Sequence, residues 1–276
     1  MKNVDERTVE GFGDEWSTFD QGALADRERE ELFRRYFSIF PWGELPSGAR
    51  GFDLGCGSGR WAVLVAPRVK ELHCIDPSEE ALKVARRNLT SAPNCRFHCA
   101  TVDSIPLDDG SMDFGYSLGV LHHVPDTEAG LAACVRKLRP GAPFLLYLYY
   151  RFDNKPLWFR AIWRLTDWAR RAVSALPPRR RRFVTDGIAL VVYLPLARVS
   201  KVLSRLGVDV FNVPLSAYRE SSVYTMRTDA LDRFGTRLEK RFTRDEIQEM
   251  MQRTGLERVV FSPAVPFWCA LGYRCR

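Results

Sequence analysis

The stretch Asp53-Leu-Gly-Cys-Gly-Ser-Gly-Arg-Trp61 decides the fold of this 276-residue chain. It follows a short apolar run, Gly51 to Leu54, and it opens a helical pattern. Glycines at 55, 57 and 59 let the backbone turn tightly and approach a ligand closely. Asp76 ends the next predicted strand, where a carboxylate can accept hydrogen bonds from both hydroxyls of a ribose. The stretch therefore predicts a strand–turn–helix cradle for a ribose-bearing ligand.

The spacing of the glycines bears on which ligand the turn holds. Enzymes that bind nicotinamide dinucleotides use GxGxxG, and their helix N-terminus holds a pyrophosphate. Here the spacing is GxGxG, and an acidic residue, Asp53, stands two positions before the first glycine. A carboxylate in that place suits a cationic amino-acid cofactor better than a pyrophosphate.

Strands and helices alternate on both sides of this turn, which predicts a parallel sheet covered by helices. The strands are expected at 51–54, 72–76, 95–101, 112–118 and 144–150, and the helices at 26–40, 61–66, 78–89 and 127–138. A helix with a capping box at Thr243 and Glu246 follows at 243–254, and strands at 258–262 and 267–273 form a terminal antiparallel pair. The 151–240 segment interrupts the rhythm, with helices expected at 156–176 and around Pro195.

Three further motifs follow the glycine turn in order. They are Ile105-Pro-Leu-Asp-Asp-Gly-Ser-Met-Asp113, Leu118-Gly-Val-Leu-His-His-Val124 and Leu138-Arg-Pro-Gly141. In sequence and spacing they resemble class I S-adenosylmethionine (SAM)-dependent methyltransferases, especially the group that contains the ubiquinone and menaquinone methyltransferases. The resemblance covers about residues 50–150. It implies a Rossmann-like α/β sheet, mostly parallel with an antiparallel terminal strand, and a helical lid inserted after the fifth strand.

The resemblance also implies which residues hold SAM. Asp53 is expected near the ammonium group, and Asp76 at the ribose. Thr101 stands where the family usually has Asp on the adenine amino group, so either Asp103 substitutes or that contact is lost. The full predicted cofactor set is Asp53, Gly55, Cys56, Gly57, Gly59, Asp76, Pro77, Thr101, Val102, Asp103 and Leu118.

Candidate catalytic residues follow the fourth and fifth strands, where ligands bind in this fold. His122 and His123 are expected to face the reaction space, although either can equally cap or pack the following helix. Tyr149 is the third candidate for a general base, should the acceptor have to lose a proton. Candidates for acceptor binding, each with the alternative of a plain surface or core contact, are Tyr150, Tyr218, Arg219, Tyr224 and Arg227. Trp16 and Phe19 either seal the cofactor site or belong to ordinary packing.

The sequence predicts three parts: an N-terminal helical cap at 1–45, a Rossmann-like domain at 46–150 and 241–276, and an inserted lid with acceptor-binding residues at 151–240. The net charge of +7 comes from the lid, because residues 151–182 hold ten basic and two acidic residues. With Trp158, Trp163 and Trp168, residues 156–182 suggest an amphipathic helix at a membrane surface. A solvated helix face with a basic loop is the alternative. Nucleic acid is disfavoured because no RNA-binding module is recognisable.

Apolar residues make up 46% of the chain, enough for a full core, and charged residues 27%. No uninterrupted apolar run reaches the ~18 residues of a membrane span, and the N-terminus is polar, so we expect a cytoplasmic protein. The seven cysteines are expected as reduced thiols, and no metal site is expected.

These features favour a methyltransferase that acts on a small or lipid-like acceptor. Other chemistry on SAM, such as cyclisation or aminocarboxypropyl transfer, and a non-catalytic SAM-binding module are the alternatives. The sequence leaves the oligomeric state open.

Overall fold

The computed structural model describes residues 3–22 and 24–276; Met1, Lys2 and Ala23 lie outside the described residues. Its sheet has seven strands in the order β3-β2-β1-β4-β5-β7-β6. Strands β1 to β5 pair in parallel, and β7 runs antiparallel to both of its neighbours, so the predicted Rossmann-like sheet is confirmed. The strands are Arg50–Leu54, Glu71–Asp76, Cys95–Cys99, Phe114–Leu118, Pro143–Tyr147, Leu256–Phe261 and Cys269–Arg274.

Ten α-helices, α1 to α10, accompany the sheet within the described ranges. Ser78 caps α4 by accepting a hydrogen bond from the Ala81 backbone, and the predicted capping box of Thr243 and Glu246 opens α10. The helices are Glu6–Thr18, Asp26–Tyr36, Ala62–Val65, Glu79–Asn88, Thr127–Lys137, Leu157–Ser174, Pro178–Ile188, Leu194–Arg205, Val223–Gly235 and Arg244–Arg253.

Each face of the sheet has its own apolar core. Phe144 and Leu146 of β5 pack into one cluster with residues of α5 and α10. Leu145, between them, packs into the other with residues of α2, α3 and α4. This alternation is the period of two that a strand covered on both faces requires. The carboxyl ends of β1, β2, β4 and β5 are thereby fixed at one edge.

The chain divides into two compact units. Unit 1 comprises residues up to Gly22, Arg29–Arg151 and Leu238–Arg276, and it contains the whole sheet. Unit 2 comprises the residues from 24 to 28 and Phe152–Arg237. A small core holds unit 2 together, in which Ala189, Tyr193 and Ala197 pack with Met226 and Phe234.

Several expected elements differ in the structure. Helices α1 and α9 were not among the expected helices, and both begin with a side-chain cap, from Asp5 and Ser222. The predicted 26–40 helix ends at Tyr36. Strand β3, expected to be buried, is the edge strand of the sheet, and Cys99 on it is exposed.

The four arginines Arg179 to Arg182, which form a basic loop in the solvated alternative, belong to the first turns of α7. Pro178 starts that helix, because the fixed φ of proline suits a first helical position. A π-helical turn over 189–193 then joins α7 to α8. The resulting helix, Pro178–Arg205, is long and apolar enough to cross a membrane by length and composition alone. We did not expect this helix from the sequence, because its apolar residues do not form one uninterrupted run.

Candidate functional site

The glycine turn between β1 and α3 is built from residues with positive φ. Gly55 has a φ of 75°, Gly57 of 52° and Gly59 of 77°, a region that other L-residues rarely adopt. A Cβ on Gly55 would lie 2.4 Å from the side chain of Val120. The Gly55 backbone N–H donates to the Ile75 carbonyl at 2.7 Å, which ties the turn to the end of β2. Both conformation and space therefore require glycine here.

Asp76, the last residue of β2, holds the turn against the start of α4. Its carboxylate accepts from the backbone N–H of Gly57 and from that of Ser78, both at 2.9 Å. Burial raises the pKa of Asp76 to about 6, and these two hydrogen bonds offset the rise only in part. The predicted ribose ligand is thus a buried carboxyl at the correct strand end.

Asp53 is the most unusual residue of the cradle. It is almost fully buried, and its Oδ2 has no hydrogen-bond partner among the described residues. Burial raises the pKa of Asp53 well above its usual value; the adjacent Tyr116 hydroxyl opposes the rise, and the charge of Asp76 adds to it. A buried acceptor without a partner is costly, so this oxygen calls for a cationic or hydrogen-bonding ligand.

The N-terminal segment lies against the cradle. A Cβ on Gly57 would meet the indole nitrogen of Trp16 at 2.8 Å, so the Trp16 ring lies directly on the turn. The Asn3 backbone N–H donates to Asp103, and the Asn3 side-chain amide donates to the Asp126 carbonyl at 2.7 Å. Phe19 is buried. These contacts attach α1 to the loops after β1, β3 and β4.

Three aromatic rings meet at the carboxyl ends of β4 and β5. The His122 ring centroid lies 3.9 Å from that of Tyr149 and 3.9 Å from that of His123. The Nδ1–H of His123 donates to the Leu238 carbonyl at 2.6 Å, which leaves the lone pair of a neutral ring on Nε2. Burial lowers the pKa of His122 well below its usual value, and the positive charge of Arg241 lowers it further. Neither His122 nitrogen has a partner within the described ranges.

A buried ion pair beside these rings was not foreseen. The Arg241 Nε lies 2.7 Å from Glu239 Oε1, and the Arg241 guanidinium lies 5.2 Å from the Tyr149 ring centroid. The Glu239 side chain is only 2% exposed, and its Oε2 finds no partner in the described part of the chain. The pair could not be predicted from the local sequence, because Glu239-Lys-Arg241 resembles a solvent-exposed loop. Only its position pointed to a role, because it lies at the end of the inserted segment, where the Rossmann-like pattern resumes.

A family model described as a methyltransferase domain matches residues 52–146. The chain is 34% identical over 103 residues to a ubiquinone biosynthesis O-methyltransferase of Xanthomonas axonopodis, covering 37% of this chain and 43% of that protein. It is 33% identical over 137 residues to an uncharacterised transposon protein of Streptomyces fradiae, covering 48% and 38%. The chain thus spans about two fifths of the length of these relatives.

Solved structures show the same fold over nearly the whole chain. A SAM-dependent methyltransferase from Aquifex aeolicus has a TM-score of 0.50 at 16% identity, covering 94% of this chain and 97% of that one. A putative methyltransferase solved with the Haloferax volcanii Trm112 activator has a TM-score of 0.51 at 16% identity, covering 96% and 98%. The chain carries a class I SAM-dependent methyltransferase domain.

SAM is the cofactor of this methyltransferase domain, and the cradle fits it. SAM is a cation with an ammonium group and a sulfonium, and the unpartnered Oδ2 of Asp53 is a buried acceptor that such a cation satisfies. The glycine turn leaves backbone within reach of the methionine part. The Asp76 carboxyl, at the end of β2, is the group for the ribose hydroxyls. These residue roles stay predictions.

The remaining predicted cofactor residues of the domain lie at the same strand ends. Leu118 ends β4, and Cys56 and Pro77 adjoin the turn and Asp76. Thr101 precedes a short 3₁₀ turn at Val102–Ser104, and its hydroxyl lies 3.1 Å from that of Ser104. Asp103, the alternative adenine ligand, accepts from the Asn3 backbone, so it already has one donor.

The predicted acceptor residues fall in both units. Tyr150 of unit 1 packs its ring 5.8 Å from Phe267. The four others belong to unit 2. Arg227 binds Asp186 with two 2.8 Å hydrogen bonds, Tyr218 packs on Tyr193, and Arg219 donates to the Ser216 carbonyl. Tyr224 lies near the start of α9. These contacts agree with the structural alternative for Arg227 in particular.

Proposed function

We propose that the chain transfers a methyl group from SAM to a small or lipid-like acceptor by in-line displacement. The observation that carries the proposal is Asp53, a buried carboxyl with an unpartnered oxygen beside a glycine turn that only glycine can form. The relatives named as ubiquinone biosynthesis O-methyltransferases support an acceptor with a polar ring and an apolar tail. Their likeness covers only 37% and 51% of this chain, so the acceptor stays part of the proposal.

The residues of the cradle bind and orient rather than react. Bound SAM supplies a methyl group already activated by its sulfonium, so alignment and exclusion of water are the main tasks of the protein. Asp53 holds the ammonium and Asp76 the ribose, which fixes the direction of the methyl group. Trp16, lying on the turn, keeps water from the methionine side.

The histidines provide the base that an acceptor hydroxyl or protonated amine requires. His123 is the better placed, because its bond to the Leu238 carbonyl leaves Nε2 free of hydrogen and able to take a proton. His122 is neutral at physiological pH because its pKa is low, and Tyr149 packs against it. The acceptor proton would move to Nε2 of His123 as the methyl group is transferred.

The test is to follow the products formed from SAM by chromatography, with and without an acceptor. Suitable acceptors are a catechol with a short prenyl tail and a matched catechol with a carboxylate instead of the tail. We expect S-adenosylhomocysteine only with acceptor, and faster with the prenyl compound. His123→Gln should lower kcat by about 10²–10⁴, whereas His98→Gln, our control on the edge strand β3, should retain most activity.

Two outcomes would contradict the proposal. Methylthioadenosine formed from SAM alone would show cyclisation or aminocarboxypropyl chemistry instead. Tight SAM binding without any product across a broad panel of phenols, amines and acidic carbons would show a binding module.

A further inference from the structure

In helix α6 of unit 2 the apolar residues face outward and the polar contacts face inward. Its exposed face is apolar, with residues three or four apart: Leu157, Trp158, Ala161, Ile162, Leu165, Trp168, Ala169 and Ala172. Its inward side carries the polar contacts, since the buried Arg170 donates to the Thr236 carbonyl and to Asp167, both at 2.8 Å. An ordinary surface helix does the opposite and turns its apolar stripe to the core.

The long helix of α7 and α8 repeats this reversal. Every exposed residue between 183 and 203 is apolar, glycine or proline: Phe183, Gly187, Leu190, Val191, Val192, Pro195, Val199 and Val202. The charged residues in this same range, 183–203, have partners within unit 2. Asp186 binds Arg227, Arg198 donates to the carbonyls of Arg219 and Ser221, and Lys201 lies 2.6 Å from Glu220.

Most of the large hydrophobic residues that are exposed in the described chain belong to this unit. Of the seventeen exposed large hydrophobic residues in the described chain, fifteen belong to unit 2; only Val260 and Val265 belong to unit 1. Phe183, Leu157 and Trp168 are the most exposed, with exposed fractions of 81%, 78% and 76%. A water-exposed surface of this kind marks a binding face rather than ordinary scatter.

The charges flanking these faces identify the partner. Arg164, Arg179 and Arg180 are exposed, and residues 151–182 carry a net charge of +8. Exposed tryptophans and aliphatic residues bordered by arginines match the boundary between headgroups and acyl chains of an anionic bilayer. We propose that unit 2 docks on an anionic membrane surface through the exposed faces of α6 and α7–α8.

The docking is in the plane of the membrane and not across it. The opposite side of α7–α8 packs on α9, where Ala189, Tyr193 and Ala197 meet Met226 and Phe234. A spanning arrangement would place the Asp186–Arg227 and Lys201–Glu220 pairs in hydrocarbon, at high cost. Lying flat, the helix buries its apolar stripe in lipid and leaves these pairs on the aqueous side. This inference does not depend on the proposed reaction.

The experiment is sedimentation of the full chain with phosphatidylcholine vesicles that contain from zero to half phosphatidylglycerol, at 0.1 and 0.5 M salt. We expect binding that rises with phosphatidylglycerol and falls with salt. Leu165→Ser with Trp168→Ser, and Phe183→Ser alone, should each reduce binding strongly, whereas the equally apolar Val260→Ser should not. Circular dichroism should show the same fold in every variant, because all these side chains are exposed.

A second pair of double variants tests how much the positive charges contribute to vesicle binding. Removing Arg179 and Arg180 by substitution with Ser should weaken binding to phosphatidylglycerol vesicles about thirtyfold, from ~1 kcal/mol per arginine near the surface. Lys70→Ser with Arg276→Ser removes the same charge from unit 1 and should have little effect. SAM affinity should be unchanged in all of these variants, which separates this test from that of the proposed function.

Three results would overturn the proposal. The first is no sedimentation at any lipid composition. The second is self-association in ultracentrifugation that Leu165→Ser with Trp168→Ser abolishes, without vesicle binding, which would show that a second copy covers the face. The third is resistance to carbonate extraction at pH 11 from cell membranes, which would show a spanning helix.

Discussion

The Asp53 carboxyl is buried, can ionise, and is predicted to bind the cofactor. In the ligand-free chain its pKa is held well above the usual value by burial, and its Oδ2 has no partner among the residues described. A cation brought next to a carboxyl favours the ionised form and lowers the pKa again. SAM binding should therefore change the protonation state of Asp53.

Calorimetry in two buffers of different ionisation enthalpy, phosphate and Tris, tests this at pH 7.5. We expect SAM binding to release up to one proton, so that the observed heat differs between the buffers. Asp53→Asn should bind more weakly and release little, whereas Asp108→Asn, an exposed carboxyl, should behave as the wild type. Equal heats in both buffers for the wild type would show that Asp53 does not ionise on binding.

The residues of the cradle could be predicted from the sequence because glycine and aspartate have few roles at the ends of strands. The turn, Asp53 and Asp76 stand at strand ends that the apolar runs mark clearly. Glu239 and Arg241 were not predictable, because only tertiary packing buries them. Nor does the sequence show that Arg227 faces Asp186, since forty residues separate the two.

Among the elements, helix α1 lies against the glycine turn. It places the Trp16 ring on Gly57 and a Gly13 backbone against Ser78, where a Cβ would lie 2.7 Å from the hydroxyl. We propose that this ring covers the methionine side of the cofactor, so that its loss should open that side to water.

Trp16→Ala should raise the dissociation rate of S-adenosylhomocysteine about tenfold, the equivalent of ~1.4 kcal/mol, in a stopped-flow displacement experiment. Trp16→Phe keeps an aromatic ring and should lie close to the wild type. Unchanged dissociation in Trp16→Ala would mean that α1 contributes packing alone.

The elements that the sequence predicted well are those with a clear period or cap. The strands of the sheet, α4 behind Ser78 and α10 behind its capping box are examples. Helices α1 and α9 were not predicted, although their apolar residues do have helical spacing and Asp5 and Ser222 cap them. The apolar spacing in α6 predicted a helix correctly, but periodicity alone does not say that the apolar face is the exposed one.

At the scale of the molecule, the cofactor residues and the exposed apolar faces belong to different units. Every residue of the cradle is in unit 1, and the reversed helices are in unit 2. This division predicts that the two properties can be separated by deletion.

Replacing residues 152–237 by a short glycine–serine linker should leave SAM affinity within about threefold, that is within ~0.7 kcal/mol. It should abolish vesicle binding, and it should abolish turnover because four of the predicted acceptor residues are removed. A soluble, folded deletion variant that binds no SAM would show that the cradle needs unit 2.

Calorimetric titration with SAM from pH 7.5 to 5.5, of the wild-type chain and of Asp76→Asn, tests directly whether this cradle binds SAM. We expect one SAM site per chain. Affinity should fall more steeply below about pH 6, where the ligand-free Asp76 carboxyl becomes protonated and can no longer accept from both ribose hydroxyls. Asp76→Asn should weaken binding at pH 7.5 at least tenfold, since hydrogen bonds to a charged group contribute ~1.5–3 kcal/mol each, and it should lack the steeper fall. An absence of binding heat at millimolar SAM, or equal affinity in Asp76→Asn, would contradict the assignment of this cradle to SAM.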